Sequence, residues 1–279
     1  MKVLLLILIS ALLSNSSLAE IRAMTLNAEW LWTPLDSQID GDKFNKGDMA
    51  EAAYLEEIKF YAELINNTGS LVIAISEIEN GMVAGHIAGL LGEKWRAYFK
   101  QGRDTATGQD VAILSNFPLV KGSVTDFGFP FGTIDSSSKK KRLSKVLGAK
   151  FLIRRGASEF KLGVITSHFL SKRNNNPKKT ANRQRQAVAL SKAIQLFNRS
   201  SDALLVMGDF NDTTNSKTLT ILRDSSKLKS VQIEGENSRN RIDHILYKGL
   251  IERVTVLKDL KQHSDHHAVF SVFLLEKNL

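Results

Sequence analysis

Polar residues with catalytic or ligating chemistry stand directly beside the apolar runs of this chain. Asn27 follows the run Ile21–Leu26. Ser76, Glu77, Glu79 and Asn80 cluster after Leu71–Ile75, and His168 follows Val164–Thr166. Asp209, Asn211 and Asp212 follow Ala203–Met207. Asp243 lies among isoleucines and a leucine, Asp265, His266 and His267 precede Val269–Phe273, and Asp110 opens Val111–Leu114. Carboxylate, carboxamide and imidazole groups without sulfur suit hard cations, Mg²⁺ first, with Mn²⁺ or Ca²⁺ as alternatives. Mg²⁺ needs only one or two carboxylates when phosphate oxygens and water complete its shell. Imidazole exchanges protons near neutral pH, and a carboxylate beside it fixes the ring's tautomer.

Groups so far apart in sequence need a scaffold that gathers them. Short β-like runs predict strands at Ile21–Leu26, Leu71–Ile75, Val111–Leu114, Lys145–Leu152, Lys161–Thr166, Ala203–Met207, Ile242–Tyr247, Arg253–Leu257 and Val269–Phe273, several of them continuous apolar runs bounded by polar residues, as expected for strands buried on both faces. Amphipathic spacing predicts helices over about Met49–Asn66, Met82–Leu91 and Thr180–Phe197. Open α/β sheets collect ligands at their strand ends, so the polar clusters converge on one crevice. No repeat or long linker divides the chain, and residues 20–279 are read as one α/β domain.

Residues 1–19 have the anatomy of a secretory signal peptide: Lys2, an apolar stretch from Val3 to Leu13, and small residues Ser17 and Ala19 at the cleavage positions. The stretch is too short to span a bilayer, and no other segment approaches a span. Export to the periplasm or the exterior of a bacterium is expected. The absence of cysteine excludes disulfides, thiol catalysis and thiolate metal sites. Lysine and arginine total 38 against 29 aspartates and glutamates, a net +9 that points to polyanions. Part of this surplus falls in two basic loops, Lys139–Arg142 and Ser171–Lys179, and Arg103 and Lys145 add single cations.

The motifs "TLNAEWL", "AISEIEN", "GQDVAILSNFPL", "TSHFLS", "GDFND", "RIDHIL" and "SDHHAV" follow one another in an order that resembles the endonuclease/exonuclease/phosphatase superfamily, the deoxyribonuclease I-like proteins. The resemblance runs from Asn27 to His266. It implies a four-layer α/β sandwich of two packed mixed β-sheets flanked by helices. It also implies Glu77 as a metal ligand, with Asp265 completing or supporting the site and Asn27 holding the metal region. Asp209 and Asn211 would contact the nucleophile or the scissile phosphate. His266 would be general base or acid, oriented by Asp243, and His168 a second catalytic histidine partnered by Asp110. The register of "SEIEN" favours Glu77 over Glu79, and that of "SDHHAV" favours His266 over His267. Ala268 and Asn116 replace the Pro and Arg common in the family.

Phosphodiester hydrolysis requires an activated water, a cation and a proton for the leaving oxygen, which this set can supply. Within the resemblance, export and basic loops favour a monomeric metal-dependent nuclease acting on DNA, with Arg103, Lys145, Lys172 and Arg173 on the substrate. Two alternatives are a secreted sphingomyelinase-like enzyme, with Phe127, Phe129 and Phe131 at a membrane interface, and an inactive basic protein that only binds polyanions.

Overall fold

The computed structural model describes residues 20–34, 49–102, 109–131, 141–172, 176–233 and 241–276. The proposed signal segment 1–19, Arg103, Arg173 and the Lys139–Lys140 part of the first basic loop lie outside the described residues. No described helix is long and apolar enough to cross a membrane.

The apolar runs form two mixed sheets of six strands each. The first contains β1 (Glu20–Leu31), β2 (Val72–Ile78), β3 (Arg96–Phe99), β4 (Asp110–Ser115), β13 (Leu250–Asp259) and β14 (His267–Leu275), in the order β13-β14-β1-β2-β4-β3. The second contains β5 (Thr125–Asp126), β8 (Val146–Arg155), β9 (Ser158–His168), β10 (Ala203–Asp209), β11 (Lys229–Ser230) and β12 (Asp243–Lys248), in the order β11-β12-β10-β9-β8-β5. A small hairpin pairs β6 (Pro130–Phe131) with β7 (Lys141–Arg142).

Each sheet has a parallel pair at its centre, β1 with β2 and β9 with β10, flanked by antiparallel partners. Parallel neighbours cannot be joined by a tight turn, and a helix makes each crossover. These are α1 (Glu51–Thr68) and α3 (Pro177–Asn198); α2 (Gly81–Leu91) and α4 (Lys217–Ser226) complete the outer layers. Polar residues set the helix starts: Asn80, Asn176 and Ser216 each accept a backbone N–H of the first turn, and Pro177 occupies the first turn of α3.

Strand side chains alternate between faces. Leu205 and Met207 point into the layer between the sheets, with Val164, Phe151 and Phe273, while Leu204 and Val206 pack under α3 and α4 with Leu190, Ile194 and Leu222. Met24, Ile73 and Ile75 pack under α1 and α2 with Tyr61, Ile65 and Ile87. The result is the expected four-layer α/β sandwich. With no cysteine, these three cores carry the stability, each fully buried large aliphatic side chain contributing roughly 1.5–3 kcal/mol. The aromatic loop also serves the core. Phe127 is buried against Phe197 with ring centroids 5.3 Å apart, and Phe129 and Phe131 pack partly on the same cluster.

Candidate active site

Sheet pairing places three of the expected residues side by side. Asp209 lies opposite His168 across the parallel β9–β10 pair and opposite Asp243 across the antiparallel β10–β12 pair. Gly208 makes the β9–β10 approach feasible: its φ is 140°, and a Cβ there would lie 2.0 Å from the carbonyl oxygen of Ser167. The first sheet brings Asn27 and Glu77 from the ends of β1 and β2. Both strands lose register there, between Asn27 and Leu31 and between Ser76 and Ile78. Glu77 has a left-handed backbone (φ 61°), as does Asn211 (φ 51°). Such bulges re-aim side chains at strand ends.

Asn27 ties the two sheets together. Its Nδ2 donates to Glu77 Oε1 at 3.0 Å and to Asp209 Oδ2 at 3.2 Å, and lies 3.4 Å from His266 Nε2. Its Oδ1 accepts the N–H of Glu29 at 2.9 Å. The amide therefore presents its nitrogen to the carboxylates, and its oxygen is engaged by its own turn. Asn27 thus holds the Glu77 and Asp209 carboxylates through its amide nitrogen.

Glu77 Oε1 and Asp209 Oδ2 each lie 3.6 Å from His168 Nε2. One donor atom from each of these three residues falls within 4.8 Å of the others. Glu77 Oε2 also accepts from Gln109 Nε2 at 3.2 Å. Glu79 is turned elsewhere, accepting from the N–H and hydroxyl of Thr33 at 2.7 and 2.6 Å. Asp265 stays at the rim, its side chain 77% exposed and 3.5 Å from His266 Nε2. It shares no close group with Glu77, because its loop is anchored by its backbone N–H on Glu29 Oε2 at 2.6 Å. The oxygen-rich partner of Glu77 is Asp209.

Asp243 Oδ2 holds His266 Nδ1 at 2.5 Å, as expected. This leaves Nε2 as the ring atom facing the cleft. Burial alone would lower the His266 pKa, but the hydrogen bond to Asp243 and the charges of Asp243, Asp209 and Asp265 outweigh it and raise it to about 10. The 3.4 Å approach of the Asn27 amide, which would favour a lone pair on Nε2, is too long to compete. His168 goes the other way: burial, then the charges of Lys145 and His266, push its pKa well below the ordinary 6.5. Burial and the charge of Asp243 push Asp209 well above the usual carboxylate range. Buried acids held this close to one another favour a bound cation, and oxygen and imidazole donors suit Mg²⁺ or Mn²⁺.

The expected His168–Asp110 pair is not formed. His168 Nδ1 is buried without a hydrogen-bond partner. Asp110 starts β4 in the opposite sheet, paired with Ile78, and its Oδ1 accepts the N–H of Gly102 at 2.9 Å. Asn211 braces the site floor: its N–H and Nδ2 donate to the two Asp209 oxygens at 2.7 and 3.1 Å, and its Oδ1 accepts the N–H of Lys172 at 3.3 Å. Beneath it, fully buried Arg183 reaches Asp212 Oδ2 at 3.4 Å and the carbonyls of Leu170 and Ser171. The other histidines lie apart: His244 donates into the Asp212 carbonyl, His263 pairs with Glu57, His86 with Tyr54, and His267 is exposed.

These groups open into a cleft of about 1000 Å³. Lys145 and Lys172 line it as expected, and Lys141, Arg142 and Lys179 add further positive charge. Reading the sequence alone passed over Gln109, Glu29, Trp30 and Asn182, which also line it. Gln109 carried a usable signal: it directly precedes Asp110, the first residue of β4, and so sits at a strand end.

The model of the endonuclease/exonuclease/phosphatase family matches residues 43–266. Among solved structures, the catalytic domain of human Nocturnin superposes with a TM-score of 0.65 at 16% identity, covering 92% of this chain and 95% of that one. An endonuclease/exonuclease/phosphatase from Bacteroides vulgatus gives 0.61 at 15% identity, covering 92% and 99%. The beta toxin of Staphylococcus aureus gives 0.60 at 12% identity, covering 90% and 99%. No curated protein matches the sequence.

Proposed function

The chain belongs to the endonuclease/exonuclease/phosphatase family, and we propose that within it the protein is an exported, divalent-metal-dependent nuclease that hydrolyses DNA phosphodiester bonds. The observation that carries this reading is the convergence, under a basic cleft, of the Asp243–His266 pair with His168, Asp209 and Glu77. Glu77 and Asp209, with His168 beside them, would hold the cation. Bound there, Mg²⁺ would supply Lewis acidity toward the scissile phosphate.

The chain's own groups do the rest. Asp243 fixes Nδ1 of His266, so Nε2 is the atom that exchanges a proton at the reacting phosphate. Asn27 holds the Glu77 and Asp209 oxygens in place. Asn211, locked by Asp209 and Phe169, faces the cleft and can contact the phosphate. Lys141, Arg142, Lys145, Lys172 and Lys179 attract the polyanion backbone. The His266–Asp243 pair supports this reading over an inactive polyanion-binding protein.

Residues 1–19 serve as the export signal in this proposal, and the mature protein acts as a monomer. The test is incubation with plasmid DNA, RNA and sphingomyelin vesicles, each with Mg²⁺ and then with EDTA. DNA cleavage that stops in EDTA is expected. Turnover of the lipid alone would refute the nuclease reading in favour of a sphingomyelinase-like one.

A further inference from the structure

The cleft carries two partly exposed aromatic rings that the chemistry above does not use. Trp30 enters from the first sheet, on the turn that follows Asn27, and Phe131 enters from hairpin strand β6, which packs on α3 at the second sheet. The Trp30 turn is unusual. Glu29 (φ 43°) and Trp30 (φ 67°) are consecutive residues in the left-handed region, which bulky side chains avoid. Two bonds on Glu29 hold the turn: its N–H on Asn27 Oδ1 at 2.9 Å and its Oε2 under the N–H of Asp265 at 2.6 Å. The indole, 5.8 Å from the Trp32 ring, is thus fixed at the cleft margin, in the turn that links Asn27 to the His266 loop. Trp32 and Trp95, the other two tryptophans, are buried.

Phe131 is flanked by cations. Its hairpin partner strand supplies Lys141 and Arg142, and the adjoining turn of α3 supplies Lys179. A protein that reads only the outside of a duplex needs cations and hydrogen-bond donors for the backbone. Exposed rings serve a different need, because the base faces of a duplex are already covered by their neighbours. Aromatic platforms among cations are the arrangement that holds unpaired bases. Resting on the nuclease reading above, we infer that Trp30 and Phe131 stack bases flanking the scissile phosphate, so that the preferred substrate is a single-stranded polynucleotide.

The full chain is titrated with oligothymidylate in EDTA, which separates binding from turnover, while tryptophan emission is followed. Saturable quenching is expected and is lost in Trp30→Ala, since the remaining tryptophans are buried. With Mg²⁺, Trp30→Ala and Phe131→Ala each raise KM for the oligonucleotide by about tenfold, and by more than they lower kcat. Trp30→Phe, which keeps a ring, restores most of the KM and shows that the turn still folds. Single strands are cut at lower KM than a duplex of the same sequence. A lower KM for the duplex, or quenching and KM that survive Trp30→Ala, overturns the inference and leaves the nuclease reading intact. Failure to bind or cut any nucleic acid, with quenching by sphingomyelin vesicles instead, overturns both.

Discussion

Replacing Asp243 by Asn removes a carboxylate and leaves an amide of the same shape beside His266. The wild-type ring is held protonated, its pKa moved from 6.5 to about 10, by Asp243 in first place and by Asp209 and Asp265. At about 1.36 kcal/mol per unit, that shift is a preference for the charged ring on the order of 5 kcal/mol. The His266 side chain is 14% exposed, so solvent screens little of this. Asp243→Asn deletes both the hydrogen bond and the nearest charge, and burial, which opposes protonation, then governs. NMR titration of the metal-free protein should find the wild-type His266 ring protonated through neutral pH and titrating near 10. In Asp243→Asn it should titrate several units lower. The linkage has a definite sign: a pKa raised above its unfolded value stabilises fully below pH 6.5 and loses that contribution as pH climbs through 10. The stability gap between wild type and variant should therefore narrow between pH 6.5 and 10. A wild-type His266 titrating near 6.5, or a gap constant over that window, would show that Asp243 does not hold the ring protonated.

Other perturbations have equally definite outcomes. His244 is buried with its pKa lowered to about 3, chiefly by burial and then by Arg241, so the unfolded chain binds more protons between pH 6.5 and 3. Acid should cost the wild type a few kcal/mol over that window, and His244→Gln, which keeps a neutral donor for the Asp212 carbonyl, should flatten the pH dependence of thermal melting. Arg183→Met leaves buried Asp212 with only the Thr218 hydroxyl and the Thr213 N–H and should cost roughly 3 kcal/mol in urea unfolding, most of it recovered by adding Asp212→Asn. Glu77→Gln should weaken Mn²⁺ binding in calorimetry by well over tenfold, whereas exposed Asp265→Asn should change it by less than a few-fold.

What the sequence made legible follows from what periodicity encodes. The run Ala203–Met207 lies within β10, the run Leu71–Ile75 enters β2 at Val72, and the helix read over Thr180–Phe197 lies within α3. The β1 run was read too short, because the strand continues through polar Asn27 and the left-handed Glu29 and Trp30 before rejoining β2 at Leu31. Helix α4 leaves a weak trace: it is only 10 residues long, and its signals are the Ser216 cap and Leu219 with Leu222 on one face. Edge strand β13 buries only Leu250 and Thr255, so it shows little apolar periodicity, and it extends beyond the run Arg253–Leu257 on both sides. At the site, residue types were legible but partnerships were not. Pairing His168 with Asp110 required knowing that they start and end strands in different sheets. The orientation of the Asn27 amide depended on the Glu29 turn, and the separation of Asp265 from Glu77 on its anchoring to the same residue. None of these contacts leaves a periodic trace in sequence.

His266 is the group proposed to exchange the proton during phosphodiester cleavage at this site. The most direct test of this role is plasmid cleavage with Mg²⁺ by wild type and His266→Ala, followed on gels alongside DNA binding at increasing salt. His266→Ala should lose cleavage while keeping the fold and salt-sensitive binding to DNA. Cleavage by His266→Ala at near the wild-type rate would contradict this role.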